Sequence, residues 1–248
     1  MLRRFGLGIV TCFLAVHPAQ LCAQPKTKLV HVFVALADNK HQGIIPVPSR
    51  LGNGQDAANN LYWGAAFGVK TFFKSRVGWE TISCGPGSRR EILERCVFEH
   101  RATGARLVAD AYDGANIREG LTDFLAAAAG KGGEDGAVDL VAYVGHDAFM
   151  DFQLPMPAKA AAKSSRQFIV LACASRSYFR PYMQTTGSEP LLWTSGLMAP
   201  EAYTLAAALE AWFAGESSEE VRKRAAEAYN KYQRCGIKAA QQLFVSGW

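Results

Sequence analysis

The sequence has no marked excess of charge of either sign, no internal repeat and no low-complexity segment. Its 27 lysine and arginine residues and 22 aspartate and glutamate residues give a formal net charge of +5. That balance is too mild to indicate nucleic-acid binding, and no Lys/Arg cluster is interleaved with aromatic residues. A composition that is 49% hydrophobic and 20% charged excludes collagen-like, coiled-coil and wholly disordered chains. We therefore expect a globular protein with no nucleic-acid partner.

The sequence also lacks a Cys-x-x-Cys motif, so neither a zinc ribbon nor a dithiol redox site is predicted. The segment Gly52–Ala57 matches the Gly-x-Gly-x-x-Ala pattern of dinucleotide sites. However, Pro46 and Pro48 separate that segment from the preceding apolar run, whereas the motif requires a strand directly before it. We therefore expect no metal ion and no cofactor.

The first 23 residues are typical of an export signal. Two arginines near the N-terminus precede the apolar run Phe5–Val16, and Ala23 or Ala19 offers a cleavage point. The apolar run is too short to span a bilayer comfortably. We predict a signal peptide over 1–23, one domain over 24–248, and a periplasmic or secreted protein without a membrane anchor after cleavage. No pattern indicates the oligomeric state.

Four cysteines follow the predicted signal peptide, namely Cys84, Cys96, Cys173 and Cys235. An oxidising compartment permits disulfides. Cys84 and Cys96 flank the turn sequence Gly85-Pro86-Gly87, which makes them the expected pair.

Apolar runs bounded by turn residues alternate with stretches of helical spacing. The runs predict strands at 29–37, 104–111, 138–144, 168–172 and 191–194. The spacing predicts helices at 61–72, 88–95, 117–128, 203–213 and 217–232, the last opened by the capping box Ser217-Ser218-Glu219-Glu220. Strands alternating with helices indicate an α/β fold, a three-layer sandwich around a mostly parallel sheet.

In such sheets the functional site lies beyond the carboxyl ends of the strands. The strand 138–144 leads into Gly145-His146, and the next strand leads into Cys173. A thiol beside an imidazole is suited to nucleophilic catalysis, with His146 also able to protonate a leaving amine. Gly145 lets a substrate approach closely, and the backbone N–H groups of Cys173 and Asp147 are candidate donors to an oxyanion.

The order of an apolar strand ending in Gly145-His146 and an apolar strand ending in Ala172-Cys173 resembles the caspase-like cysteine peptidases. The segments Asn53–Phe73, Tyr112–Ala129 and Glu189–Trp212 are similar to further helices and strands of that family. The resemblance implies a six-stranded α/β fold and peptide-bond hydrolysis, with Cys173 as the nucleophile and His146 as the acid–base. Its partner would be a peptide or protein substrate.

The resemblance also implies that the loop after the first strand lines the substrate pocket. Asp38 there would favour a basic side chain, and Lys40 an acidic one, with Asn39 between them. Ser175 and Arg176, which follow Cys173, are further candidate substrate-binding residues. The residues of the loop after the first strand are therefore compatible with either a basic or an acidic substrate side chain.

Asp147 stands where the family usually has glycine. Its carboxylate either crowds the site or adds charge beside the Cys–His pair. The alternative function is therefore an exported, non-catalytic caspase-like domain with a binding or envelope role. A Cys173 that is buried, disulfide-bonded to Cys235 or blocked by Asp147 would favour that alternative.

Overall fold

Within the part of the chain that the structure describes, eight strands and six helices follow one another in an α/β arrangement with one mixed sheet. The structure is a computed structural model that describes residues 27–131 and 137–248. The predicted signal peptide lies outside these residues. Among the helices of the described ranges, none has both the length and the apolarity needed to cross a membrane.

The strands are β1 (Leu29–Ala35), β2 (Trp79–Gly85), β3 (Ile92–His100), β4 (Arg106–Tyr112), β5 (Leu140–Val144), β6 (Gln167–Leu171), β7 (Glu189–Thr194) and β8 (Phe244–Val245). The helices are α1 (Val69–Ser75), α2 (Ile117–Ala128), α3 (Ser175–Thr186), α4 (Ala202–Phe213), α5 (Ser218–Gln233) and α6 (Ile237–Leu243). Two single 3₁₀ turns lie at Gly114–Asn116 and Ala148–Met150.

The strands lie in the order β2-β3-β4-β1-β5-β6-β7-β8. The central pairs β4–β1, β1–β5, β5–β6 and β6–β7 are parallel, and the outer pairs β2–β3, β3–β4 and β7–β8 are antiparallel. From β1 the chain crosses to the edge strand β2, comes back inward through β3 and β4, and then passes to β5 on the other side of β1. The order therefore reverses between β1 and β5, and open α/β sheets bind ligands at the carboxyl ends of strands at such a point.

Helices cover both faces of the sheet. Successive side chains of β1 point to opposite faces, so this strand contributes to the core on each side. Val30, Val32 and Val34 belong to a core that includes residues of α1, α4 and α5. Phe33 and Ala35 belong to a second core that includes residues of α2 and α3. Burial on both faces explains why the central strands read as continuous apolar runs.

The expected Cys84–Cys96 disulfide joins the edge strand β2 to its neighbour β3. Cys84 and Cys96 are register partners in the antiparallel β2–β3 pair, and their sulfurs are bonded. The disulfide thus closes a hairpin that adds two strands beyond β4.

The predicted helix 61–72 is right only over its last four residues, and the predicted helix 88–95 is wrong. The segment 61–68 forms turns, and α1 begins only at Val69. Asn60 explains this difference, because its side chain bonds both backbone groups of Ala37 and also the N–H of Tyr62. A Cβ at Gly64 would meet the backbone of Ala58 at 2.1 Å, so the turns pack more tightly than a regular helix would allow.

The segment 88–95 is not a helix, because β3 begins there at Ile92. Cys96, Phe98 and His100 are buried while the residues between them are half-buried. This two-residue alternation is the pattern of a strand.

Candidate active site

His146 and Cys173 leave the sheet from neighbouring parallel strands. The register pairs Val144 of β5 with Leu171 of β6, and the N–H of Gly145 still donates to the Leu171 carbonyl at 3.2 Å. The two strands therefore end side by side, and adjacent strands are only about 4.8 Å apart.

Cys173 lies in the sharp turn between β6 and α3. Ala174 takes the left-handed conformation, with φ 46°, and α3 begins at the next residue. Buried Ser175 fixes this turn, since its N–H and its hydroxyl both bond the hydroxyl of Thr194 on β7. The Cys173 sulfur lies 3.5 Å from the N–H nitrogen of Met198 and 3.6 Å from its carbonyl oxygen. The thiol is free and half-buried.

Gly145 is required by the close approach of two strand ends. Its φ is +152°, and a Cβ there would lie 2.9 Å from the carbonyl oxygen of Ala35 at the end of β1. Gly145 therefore packs directly against the end of β1, and this contact alone requires glycine at that position.

His146 is held by a carboxylate that the sequence analysis did not single out. Its Nε2 lies 2.7 Å from Oδ2 of Asp151, and the same oxygen accepts the N–H of Gly43 at 3.0 Å. An ionised carboxylate can only accept, so in the neutral ring Nε2 carries the proton and Nδ1 has the free lone pair. The 3₁₀ turn Ala148–Met150 brings Asp151 back to His146, and a carboxylate five residues after the histidine was the available signal.

His146 and Cys173 line one cavity of about 650 Å³, called the Cys173 cavity below. The loops after β1, β5, β6 and β7 and the helix α5 all contribute to its lining, for example through Ile44, His146, Cys173, Met198 and Tyr229. The cavity therefore lies at the carboxyl ends of the parallel strands, where the reversal of strand order predicts a site.

Asp147 is not among the residues that line the Cys173 cavity. It is fully buried, and its Oδ1 accepts the N–H of Phe149 at 3.1 Å, which caps the 3₁₀ turn. Within the described residues, its Oδ2 has no hydrogen-bond partner. Burial raises the pKa of Asp147 to about 7, and the charge of Asp151 acts in the same direction. The side chain thus neither covers the thiol nor carries a full charge at neutral pH.

The N–H groups expected to stabilise an oxyanion were those of Cys173 and Asp147. Neither donates to an acceptor in the part of the chain that the structure describes. The next two N–H groups are engaged, because Ala174 donates to the Gly196 carbonyl and Ser175 to Thr194.

The loop after β1 reaches the Cys173 cavity, but not through Asp38, Asn39 or Lys40. Its contribution comes from the later, mostly apolar residues Gly43, Ile44, Ile45 and Val47, which the sequence analysis did not select. The apolar character of that stretch was the only signal for them.

Asp38 is buried and organises the loop rather than facing the cavity. Burial by itself raises the pKa of Asp38, but hydrogen bonds from His41, the Lys40 N–H and Gln55 together hold that pKa below its ordinary value. Asn39 bonds both backbone groups of Val47, and Lys40 is exposed.

Ser175 and Arg176 also lie outside the lining of the Cys173 cavity. Ser175 is part of the buried turn described above. Arg176 donates to the main-chain oxygen of Trp248 at 3.2 Å. Of the residues selected from the sequence, the structure therefore brings together Gly145, His146 and Cys173.

In the described ranges, the only trio of side chains close enough to share a metal ion is Cys84, Glu94 and Cys96. Both cysteines of this trio are bonded to each other, so their thiolates are not free to act as ligands.

Comparison with known proteins adds no assignment to this geometry. No protein-family model matches the chain, no curated protein is similar to it, and no solved structure resembles it.

Proposed function

We propose that the protein is an exported cysteine hydrolase of caspase-like type, with peptides as its substrates. Cys173 is the nucleophile and His146 is the general acid–base. One observation carries the proposal: a free thiol and an imidazole, placed by adjacent parallel strands, line the same open cavity. Nucleophilic catalysis requires this pairing of a thiol with a base.

Asp151 is the positioning residue of the proposed site. By accepting from Nε2 of His146 it fixes the tautomer in which Nδ1 is the base. It also stabilises the imidazolium that forms when Nδ1 takes a proton, as the carboxylate does in the Ser-His-Asp arrangement.

The proposed reaction has two halves. In the first, Nδ1 of His146 takes the thiol proton, Sγ of Cys173 forms a bond to the substrate carbonyl carbon, and that carbonyl becomes an oxyanion. The oxyanion collapses, the C–N bond breaks, and His146 returns the proton to the leaving amine. In the second, water gives its proton to His146 and attacks the thioester, which releases the carboxylic acid and restores the thiol.

The N–H of Cys173 is our first candidate for the donor that stabilises the oxyanion, because it is not engaged elsewhere among the described residues. Such a donor acts only when charge develops on the carbonyl oxygen, and so it lowers the barrier rather than tightening substrate binding.

The assignment of the sheet to a caspase-like fold is part of the same proposal. Removing the β2–β3 hairpin leaves six strands, as the caspase-like resemblance implies, with helices on both faces as in a three-layer sandwich. The Cys84–Cys96 disulfide supports a periplasmic or secreted location, because disulfides persist in oxidising compartments.

The experiment is hydrolysis of a mixed peptide library by the purified protein, followed by identification of the products by mass spectrometry. We expect cleavage that is lost in Cys173→Ser. Cys235→Ser is the matched control, since Cys235 is exposed and does not line the Cys173 cavity. Cleavage that survives in Cys173→Ser would reject this nucleophile. A protein that cleaves no peptide would leave the non-catalytic binding domain as the better account.

A further inference from the structure

The Cys173 cavity is lined almost entirely by apolar side chains. They come from four separate stretches of the chain and include Ile44, Leu61, Met150, Leu197 and Met198. A binding pocket of several hundred Å³ with this character and a few polar groups is typical of small-molecule and peptide sites.

Charged side chains are nearly absent from the lining. Among the described residues that line the cavity, Asp151 is the only acidic residue and His146 the only basic one, and they are bonded to each other. No lysine or arginine of the described ranges lines it, so an acidic substrate side chain would lose its hydration without gaining a partner. A basic one would find only Asp151, which His146 and the Gly43 N–H already engage. Burying an unpaired charge is strongly unfavourable.

The rim of the cavity exposes large apolar side chains to water. Ile45 is 82% exposed, Leu197 69% and Met150 44%. Exposed apolar side chains grouped around a concave surface indicate a binding site, because a partner there removes them from water.

The apolar wall is continuous with the sulfur. The backbone of Met198 contacts Sγ of Cys173, and Met198 is itself nearly buried in the wall. Tyr62 lines the same cavity and is itself buried. A substrate side chain on the residue whose carbonyl is attacked by Cys173 would therefore contact this wall.

We infer that the protein selects peptides with a large apolar residue, such as leucine, methionine or phenylalanine, on the acyl side of the cleaved bond. The inference rests on the proposed hydrolase function and names its substrate class. It assigns specificity to Ile44, Leu61, Leu197 and Met198 instead of Asp38 and Lys40.

The test uses peptidyl acyloxymethyl ketones that differ only in the residue next to the ketone: leucine, aspartate or arginine. The thiolate of Cys173 forms a C–S bond as the carboxylate leaves, and mass spectrometry identifies the labelled cysteine. We expect the leucine probe to label Cys173 about 100-fold faster than the aspartate or arginine probe.

Leu197→Arg places a cation at the rim and is expected to fold, because Leu197 is 69% exposed. The ratio of aspartate-probe to leucine-probe labelling should rise at least about tenfold, since the arginine now pairs with an acidic side chain. Val77→Arg adds the same charge at a residue that is 96% exposed and outside the cavity lining, and it should leave the ratio unchanged.

Equal or faster labelling of Cys173 by the aspartate or arginine probe would overturn the apolar specificity but keep the hydrolase proposal. An unchanged ratio in Leu197→Arg would also overturn the assignment to this wall. If iodoacetamide labels Cys173 and no peptidyl probe does, the hydrolase proposal fails and the specificity falls with it.

Discussion

Cys173 and Cys235 carry the same thiol in two different surroundings. Cys173 is half-buried in a turn fixed by β6, α3 and β7, and shares a cavity with His146. Cys235 is exposed in the turn between α5 and α6, and its sulfur contacts the carbonyl oxygen of Gly236 at 3.8 Å. By exposure alone Cys235 would be the more reactive thiol. Under the proposed function the reactivity of Cys173 comes from the histidine that shares its cavity, and changing that histidine tests the comparison.

The largest expected effect follows removal of that base. His146→Gln leaves Cys173 without a proton acceptor, so kcat/KM for peptide hydrolysis should fall by roughly 10²–10⁴. Steady-state kinetics on a cleaved peptide measure this. His41→Gln is the control, because His41 also pairs with a buried aspartate, at 2.8 Å, but does not line the Cys173 cavity. Equal losses in both variants would show a structural rather than a catalytic role.

A smaller effect is expected when the histidine keeps its place but loses its carboxylate. Asp151→Asn should lower kcat/KM by about tenfold to a hundredfold, because the tautomer is no longer fixed and the imidazolium is less stable. The acidic limb of the pH profile of kcat/KM should move to lower pH, whereas Asp151→Glu should restore part of the activity.

Asp113→Asn is the matched control for Asp151→Asn, since Asp113 also accepts a backbone N–H but belongs to another loop. An Asp151→Asn enzyme with a lower kcat/KM and an unmoved pH profile would contradict the positioning role.

The smallest effect concerns Asp147, which follows His146 in the sequence but does not line the Cys173 cavity. Because its pKa is raised from 3.8 to about 7 in the folded protein, the folded state binds a proton that the unfolded chain has already released. The stability that Asp147 contributes is therefore present below about pH 4 and is lost as the pH rises through about 7.

Asp147→Asn removes this loss, and we expect it to raise the free energy of unfolding at pH 8 by about 1–2 kcal/mol relative to the wild type. Thermal unfolding at pH 4 and pH 8 measures the difference, at about 2–4 °C per kcal/mol. A variant that is equally destabilised at both pH values would show that Asp147 is ionised and paired in the folded protein.

The parallel centre of the fold was predictable from the sequence, because β1, β5 and β6 are buried on both faces and read as apolar runs. The hairpin strands β2 and β3 were not, since β2 is largely exposed and β3 is buried only at alternate positions, so neither has an apolar run to mark it. The turns at 61–68 were not predictable, because the buried side chain of Asn60 organises them through hydrogen bonds to Ala37. No local sequence pattern indicates these bonds.

The same limit applies to the candidate site. His146 and Cys173 could be predicted to lie close together, because each follows a predicted strand and parallel strands bring their carboxyl ends to one edge. Asp151 and the apolar residues Ile44 and Leu197 come together only through tertiary packing of three loops. Asp38 and Lys40 looked suitable by charge, but hydrogen bonds within the loop decide where they lie.

The most direct measurement of the central claim is the rate at which iodoacetamide alkylates each free thiol at pH 6 and pH 8. Mass spectrometry follows the labelling of each cysteine. An ordinary thiol is largely protonated at both values and slows about tenfold for each lower pH unit. We predict that Cys173 reacts at least about tenfold faster than Cys235 at pH 6 and loses this advantage in His146→Gln. A faster Cys235 at both pH values, with a ratio unchanged by His146→Gln, would contradict the account.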